Sequence, residues 1–327
     1  MDRMAIIKAD QEGIERAGRY IAHGGLVAIP TETVYGLAAD ASNGLAVAGI
    51  YTAKGRPVFN PLIIHVADAR AVPGLAVVTP LAEKLMAAFW PGPMTLILTS
   101  HPSSVVDPLA LAGLDTIAIR IPSHPVALAI LRAARVPVAA PSANRSGRVS
   151  PTNAQHVADD FGDVVPMIVD AGPTELGVES TIIDARGDIP VILRPGAITR
   201  ADIERVTGVA PKVTSKSVAD DHGDIKPDAP GQLASHYAPR ASVRLDATDV
   251  RAGEALLAFG PHVPQHEGPM LNLSPAADTT EAAAHLFGYL RDLDATGTAT
   301  IAVMPIPNDG LGEAINDRLR RAAAPRA

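Results

Sequence analysis

The chain encodes an α/β protein of two domains joined by a long polar connection. Three observations lead there. Short apolar runs of strand length alternate with stretches of helical spacing across residues 1–208. Residues 209–240 lose that periodicity, and the alternation restarts over 241–327. A length of 327 residues also fits two domains of ordinary size.

Taken in order, Asp10 is placed to cap a helix in which Ile14, Ala17 and Ile21 keep helical spacing, with Gly24 and Gly25 as its stop. Residues 26–30 form a short apolar run suited to a buried strand. Residues 43–53 read as a helix, 61–66 as a strand, 80–90 as a helix and 94–98 as a strand. In 116–121, Ile117, Ile119 and Ile121 alternate with Thr116, Ala118 and Arg120, so a strand there carries Thr116 and Arg120 on one face. A helix follows over 125–134, then strands over 136–140, 166–170, 180–184 and 190–194. Residues 209–240 hold four prolines and read as a linker or lid. Beyond it, strands over 241–245, 254–259 and 300–305 and helices over 276–295 and 312–323 predict a small parallel α/β domain. No internal repeat relates the two halves.

Composition narrows the chemistry. Hydrophobic residues reach 47% and aromatics only 3%, so the core must be aliphatic. The 28 Lys and Arg against 35 Asp and Glu give a net charge of −7, which argues against a coat for nucleic acid or an anionic membrane. With no cysteine, disulfides, thiolate metal sites and cysteine nucleophiles are excluded. The first residues lack a signal-peptide core and no apolar run reaches membrane-spanning length, so a cytoplasmic protein is expected. There is no P-loop, dinucleotide fingerprint, nucleophile elbow or zinc-helix motif. His262 and His266 are four apart, but prolines break the segment and no third ligand is near, so a solvated loop is expected there.

Four segments concentrate polar chemistry at strand ends, where open α/β sheets bind ligands. Pro30–Leu37 (PTETVYGL) carries Thr33 among hydroxyls, a carboxylate and a phenol. In 54–65, Lys54 and Arg56 flank a glycine before a proline, as on a loop, and together suit a phosphate. Asn60 and His65 follow; a lone His at the end of an apolar strand is more often a core residue. In 140–152, Ser142, Asn144, Ser150 and neighbouring hydroxyls crowd a loop able to form an anion nest after Ala140. Ser180 and Thr181 open one strand, and Arg194 ends the next. A buried Arg120 or Arg194 needs an acceptor, either an acidic side chain or a carboxylate or phosphate ligand. The joint inventory is that of a site for a polyanion and a small carboxylate. The competing reading is an RNA-binding module, but through residue 210 there are 17 Lys and Arg against 20 Asp and Glu and no aromatic stacking run.

In this order and spelling, PTETVYGLAADA, KGRPVFNPLIIHV, FWPGPMTLIL, TIAIRIP, APSANRSG, GVESTIID, ILRPGAIT and the linker's HYAP resemble the YrdC-like threonylcarbamoyl-AMP synthase family. The match covers residues 10–205, and the linker and C-terminal extension resemble the long two-domain form. The resemblance implies a twisted open α/β sheet around a concave pocket (residues 1–208), a linker or lid (209–240) and a smaller Rossmann-like domain (241–327). It implies that L-threonine, bicarbonate and ATP give threonylcarbamoyl-adenylate and pyrophosphate, for a partner transferase that modifies tRNA. By position, Lys54, Arg56, Ser142 and Asn144 match the catalytic and nucleotide pairs, and Asn60, Thr116, Ser150 and Arg194 match further ATP contacts. His236 and Tyr237 would close over the nucleotide. Thr33, His65, Arg120, Ala140 and Ser180 match the threonine pocket, with Arg120 on the substrate carboxylate. Mg2+ is expected with ATP rather than in a cage of protein side chains, with no organic cofactor. Neither membrane nor tight nucleic-acid binding is expected. The linker departs from the family's Ser-Pro-Gly-Met, reading Ala229-Pro-Gly-Gln232, and a regulatory paralogue without turnover is the remaining alternative.

Overall fold

The computed structural model describes residues 4–214, 218–219, 225–226 and 235–325. The first domain is built on one mixed sheet. Its main strands are β1 (Ala5–Lys8), β2 (Val27–Ile29), β3 (Gly36–Asp40), β4 (Ile63–His65), β5 (Met94–Ser100), β6 (Thr116–Arg120), β7 (Val138–Ala139), β8 (Met167–Asp170), β9 (Thr181–Asp184) and β10 (Val191–Arg194). They lie in the order β1-β8-β2-β3-β7-β4-β6-β5-β9-β10. Parallel pairs (β1 with β8, β4 with β6, β5 with β9) mix with antiparallel ones such as β2 with β3 and β5 with β6. The parallel register of β4 and β6 sets His65 beside Arg120, so both reach the same end of the sheet.

Local chemistry starts and stops the helices as the residue types dictate. In α1 (Gln11–Ala22), the Asp10 side chain accepts from the Gly13 N–H at 2.9 Å. In α2 (Gly44–Lys54), Asn43 caps the start and Gly55 closes the end with φ +59°. α3 (Pro80–Phe89) starts with Thr79 and a first-turn proline, and α4 (Pro125–Ala134) also opens on proline. α5 (Ala154–Phe161) is capped by Asn153, and α6 (Arg200–Thr207) by a reciprocal Thr199–Asp202 box.

The second domain is a parallel sheet of β11 (Ser242–Arg244), β12 (Ala255–Ala258), β13 (Met270–Asn272) and β14 (Thr300–Val303), in the order β11-β14-β12-β13. Helices α7 (Thr279–Ala295) and α8 (Gly312–Ala323) pack on it. Its apolar core holds Leu257, Leu286, Phe287, Leu290, Ile301 and Ile315, and continues into the first domain through Val34, Val149 and Val178. The two domains therefore share one buried apolar seam, and Tyr237 from the end of the linker lies in it.

Several features depart from the sequence reading, which has no counterpart for β1, α5, α6 or β13. β3 escapes it because all five residues are buried, which removes the alternation that marks a strand. Lys54 is the last residue of α2 and not a loop residue; Gly55 ends the helix immediately after it. The linker begins in the sheet: Lys212 and Val213 pair in parallel with β10. Ala229 to Gln232, where the linker departs from the family pattern, lies outside the described residues.

Candidate active site

A single cleft opens at the strand ends that carry His65, Arg120 and Arg194, and Thr33, Arg56, Ala140, Ser142, Ser180, His236 and Tyr237 also line it. Four cations converge on it or stand directly behind it, and each is nearly fully buried: Lys54, Arg56, Arg120 and Arg194. Burying so much like charge is costly, so their partners decide what the site can bind.

Lys54 donates from Nζ to the carbonyl oxygens of Ser142 and Asn144, at 2.6 and 2.5 Å. The end of α2 thus shapes the Ser-Ala-Asn loop from behind. Asn144 fixes the same loop by donating from Nδ2 to the Arg145 and Arg148 carbonyls, at 2.8 and 2.9 Å. Arg56 is braced by the Asn60 side chain (Nη2 to Oδ1, 2.6 Å) and by the Asn60 and Pro61 carbonyls. Burial, reinforced by the Arg56 charge, pulls the Lys54 ammonium well below its ordinary pKa, and burial brings Arg56 to about 10. Both respond as groups that would gain from an incoming anion.

On the other side, Arg120 donates from Nη1 to the Thr33 hydroxyl at 2.9 Å and pairs with the Glu32 carboxylate, Nη2 to Oε1 2.7 Å. Burial would raise the Glu32 pKa, but Arg120 outweighs it and holds the carboxyl below its usual value. Arg194 donates from Nε to the Ser180 carbonyl and from Nη2 to the Ser180 hydroxyl, both at 3.1 Å, and that hydroxyl also bonds Thr95 at 2.8 Å. His65 is buried beside Arg120; burial first, then that positive charge, lowers its pKa to about 3, so it is a neutral imidazole at physiological pH.

The roof comes from the chain end of the linker. Ala238 bridges to Arg148, and the Ala238 N–H donates to Gly147 at 2.9 Å. His236 and Tyr237 are buried over the cleft, their rings 4.0 Å apart, and Tyr237 stacks on Phe287 of α7 at 5.5 Å. Burial, followed by the charges of Arg56, Lys54 and Arg194, keeps His236 neutral.

The structure thus gathers most residues singled out from sequence. Lys54, Asn60, Asn144 and Ser150 are buried one layer back, bonded to wall residues or wall loops. Thr116 does not itself line the cleft. It starts β6 while Arg120 ends it, about 13 Å away at ordinary strand rise. The shared strand face was right, but four residues of rise carry Thr116 to the other end. Sequence reasoning left out Glu32 and Glu179 as individual residues, although both lie within the segments it quoted. It missed Arg318 of α8 entirely. The signal for Glu32 was the requirement that a buried arginine have an acceptor.

Among the described residues no group of three His, Asp or Glu side chains could hold a metal ion. The two carboxylates at the cleft, Glu32 and Glu179, each face an arginine. The site therefore does not fit a resident divalent cation.

A cleft of buried arginines and hydroxyls at the ends of an open sheet, roofed by a linker and backed by a second domain, defines an α/β protein that binds anionic ligands away from water. A family profile described as "Telomere recombination" matches residues 19–196, and one described as "Threonylcarbamoyl-AMP synthase, C-terminal domain" matches 198–324. The threonylcarbamoyl-AMP synthase of Bacillus subtilis (strain 168) is 41% identical over 96% of this chain and 93% of its own. That of Pyrococcus abyssi (strain GE5 / Orsay) is 42% identical over 98% of each. The crystal structure of P. abyssi Sua5 complexed with L-threonine matches with a TM-score of 0.89, at 38% identity over 98% of each chain. The chain belongs to the threonylcarbamoyl-AMP synthase family, in its two-domain form.

Proposed function

We propose that this chain makes threonylcarbamoyl-adenylate and pyrophosphate from L-threonine, bicarbonate and ATP, and that a partner transferase passes the threonylcarbamoyl group to tRNA. The observation that carries this reading is the division of the cleft. Arg120, Thr33, Ser180 and neutral His65 line one side, while Arg56, Ser142 and the Lys54-braced loop form the other. The first set suits a small hydroxy amino acid and the second a nucleotide triphosphate. The P. abyssi relative whose structure holds L-threonine supports the first assignment.

The substrate carboxylate would share Arg120 with Glu32, and Thr33 and Ser180 would orient the substrate hydroxyl. The amine lone pair attacks the bicarbonate carbon and water leaves, giving a carbamate. A carbamate oxygen then attacks the α-phosphorus and pyrophosphate departs. None of this requires a covalent bond to the protein, so positioning and charge stabilisation supply the acceleration. Arg56 and Arg194 would balance charge developing on the phosphates, Ser142 and Asn144 would set the loop that receives them, and Ser150 would contact the nucleotide. Mg2+ would enter on the ATP phosphates. The mixed anhydride is prone to hydrolysis, and His236 and Tyr237 over the cleft would exclude water. Among the described residues no helix is long and apolar enough to cross a membrane, and we place the activity in the cytoplasm.

The test is pyrophosphate release by the full chain with threonine and bicarbonate each present or omitted. Release that needs both supports the reading. Release independent of threonine, or none with every substrate bound, overturns it.

A further inference from the structure

We propose that Arg318, contributed by the C-terminal domain, is a positioning residue of the active site that acts through Glu179 to hold Ser150 and the end of β10 in place for ATP. Arg318 is the largest fully buried side chain among the described residues, with no exposed surface. The core of its own domain does not use it: Ile315 and Leu319 of α8 fill that core. Its guanidinium instead reaches across the domain seam. Nε donates to Glu179 Oε2 at 2.8 Å, Nη2 to the Pro195 carbonyl at 3.0 Å, and Nη1 to Asp317 Oδ2 at 2.7 Å. The same group lies 5.2 Å from the centre of the Tyr237 ring.

The contacts to Glu179, Pro195 and Tyr237 lead to the cleft, while Asp317, the neighbour on α8, holds the guanidinium from its own domain. Glu179 presents its other oxygen, Oε1, to the Ser150 hydroxyl at 2.5 Å. Pro195 follows Arg194, which is bonded to Ser180. One side chain from α8 thus fixes Glu179 and Pro195 directly and Ser150 through one intermediate, while the Ser180 hydroxyl keeps its own partners, Thr95 and Arg194. Burial works against the charge on Arg318, but the Glu179 and Asp317 carboxylates outweigh it and keep the guanidinium ionised. A purely adhesive seam would not need this. Well-packed apolar residues hold a buried interface as well as an ion pair or better. What the pair adds is directed hydrogen bonds with a fixed fork geometry.

The proposal rests on reading Ser150 as an ATP contact. It is tested in the full chain with Arg318→Met, Arg318→Lys, Glu179→Gln, Ser150→Ala and the Arg318→Met/Ser150→Ala double variant. KM for ATP, KM for threonine, kcat and Tm are measured for each. We expect Arg318→Met to raise the KM for ATP about tenfold while that for threonine changes less than about twofold, with partial rescue by Arg318→Lys. The double variant should raise the ATP KM no further than the worse single variant, because both changes break one chain of contacts. An ATP KM within about twofold of wild type, an equal rise for both substrates, or additive effects in the double variant overturns the proposal. Should Arg318→Met fail to fold, Arg318→Lys and Glu179→Gln decide by the same criteria. If the unsubstituted chain releases no pyrophosphate, the proposed function fails instead. Calorimetric ATP affinities of the same variants then decide whether Arg318 positions the nucleotide side.

Discussion

Lys54 shows why residue type alone is an incomplete guide to role. A lysine beside an arginine invites the reading of two phosphate ligands, yet two of its three donors fasten the carbonyls of Ser142 and Asn144, leaving one for a ligand. Lys54→Met should therefore do two things. It leaves two buried carbonyls without that donor, costing about 2 kcal/mol in a urea titration. It should also lower threonine-dependent pyrophosphate release by roughly a hundredfold, because the loop that receives the nucleotide loses its brace. Unchanged turnover would remove Lys54 from the machinery. His65 gives a second expectation, in pH. The unfolded chain protonates this residue as pH falls through about 6.5, whereas the folded residue stays neutral down to about 3. The unfolded state binds more protons across that window, so stability is full above it and declines toward acid. Glu32, held below its ordinary pKa, acts in the same sense. Unfolding midpoints measured from pH 7.5 to 4 should fall, and His65→Gln should flatten the decline.

At the scale of elements, the site depends on where segments are forced together. Gly177, just before Glu179 and Ser180, has φ +67°, and a β-carbon there would lie 2.4 Å from the Ala283 carbonyl of α7. Neither the backbone conformation nor the space suits an alanine. Gly177→Ala should push the 177–180 segment away from α7, lower Tm by several degrees and reduce kcat/KM. A variant of wild-type Tm and activity would show that the seam is loose. Arg291 of α7 makes a second tie nearby, donating to the Val149 carbonyl at 2.5 Å and pairing with Asp160 at 2.7 Å. Both ties converge on segments that the sequence singles out for other reasons, because the second domain packs on the back of the cleft.

For the whole molecule, the shared core is decisive. Phe287 packs with Val34, Val149 and Val178 of the first domain in one apolar cluster and stacks on Tyr237 of the roof. Phe287→Ala should cost about 3–4 kcal/mol by removing a buried aromatic ring. It should also raise the hydrolysis of ATP without adenylate formation, since the roof loses its support. Calorimetry of the full chain should give one cooperative transition rather than two. Two transitions separated by many degrees would mean that the seam contributes little to stability. Most of the elements, the two-domain division and the polar segments at strand ends were open to reading because helix caps, apolar spacing and loop chemistry are local. The strand β3, the position of Thr116 and the role of Arg318 were not, for a common reason. A fully buried strand has no alternation, and neither distance along a strand nor reach across a seam leaves a mark in neighbouring residues.

What the sequence by itself determined, then, is the α/β architecture, the aliphatic core and the inventory of cations and hydroxyls near strand ends. Each of these follows from residues within a few positions of one another. Only the tertiary structure decided which of them meet. It paired Arg120 with Glu32, turned Lys54 toward the loop behind the cleft, and brought Arg318 to Glu179, which is 139 residues away along the chain. The physical reason is that buried charges must find partners wherever packing puts them, and packing is a property of the whole chain.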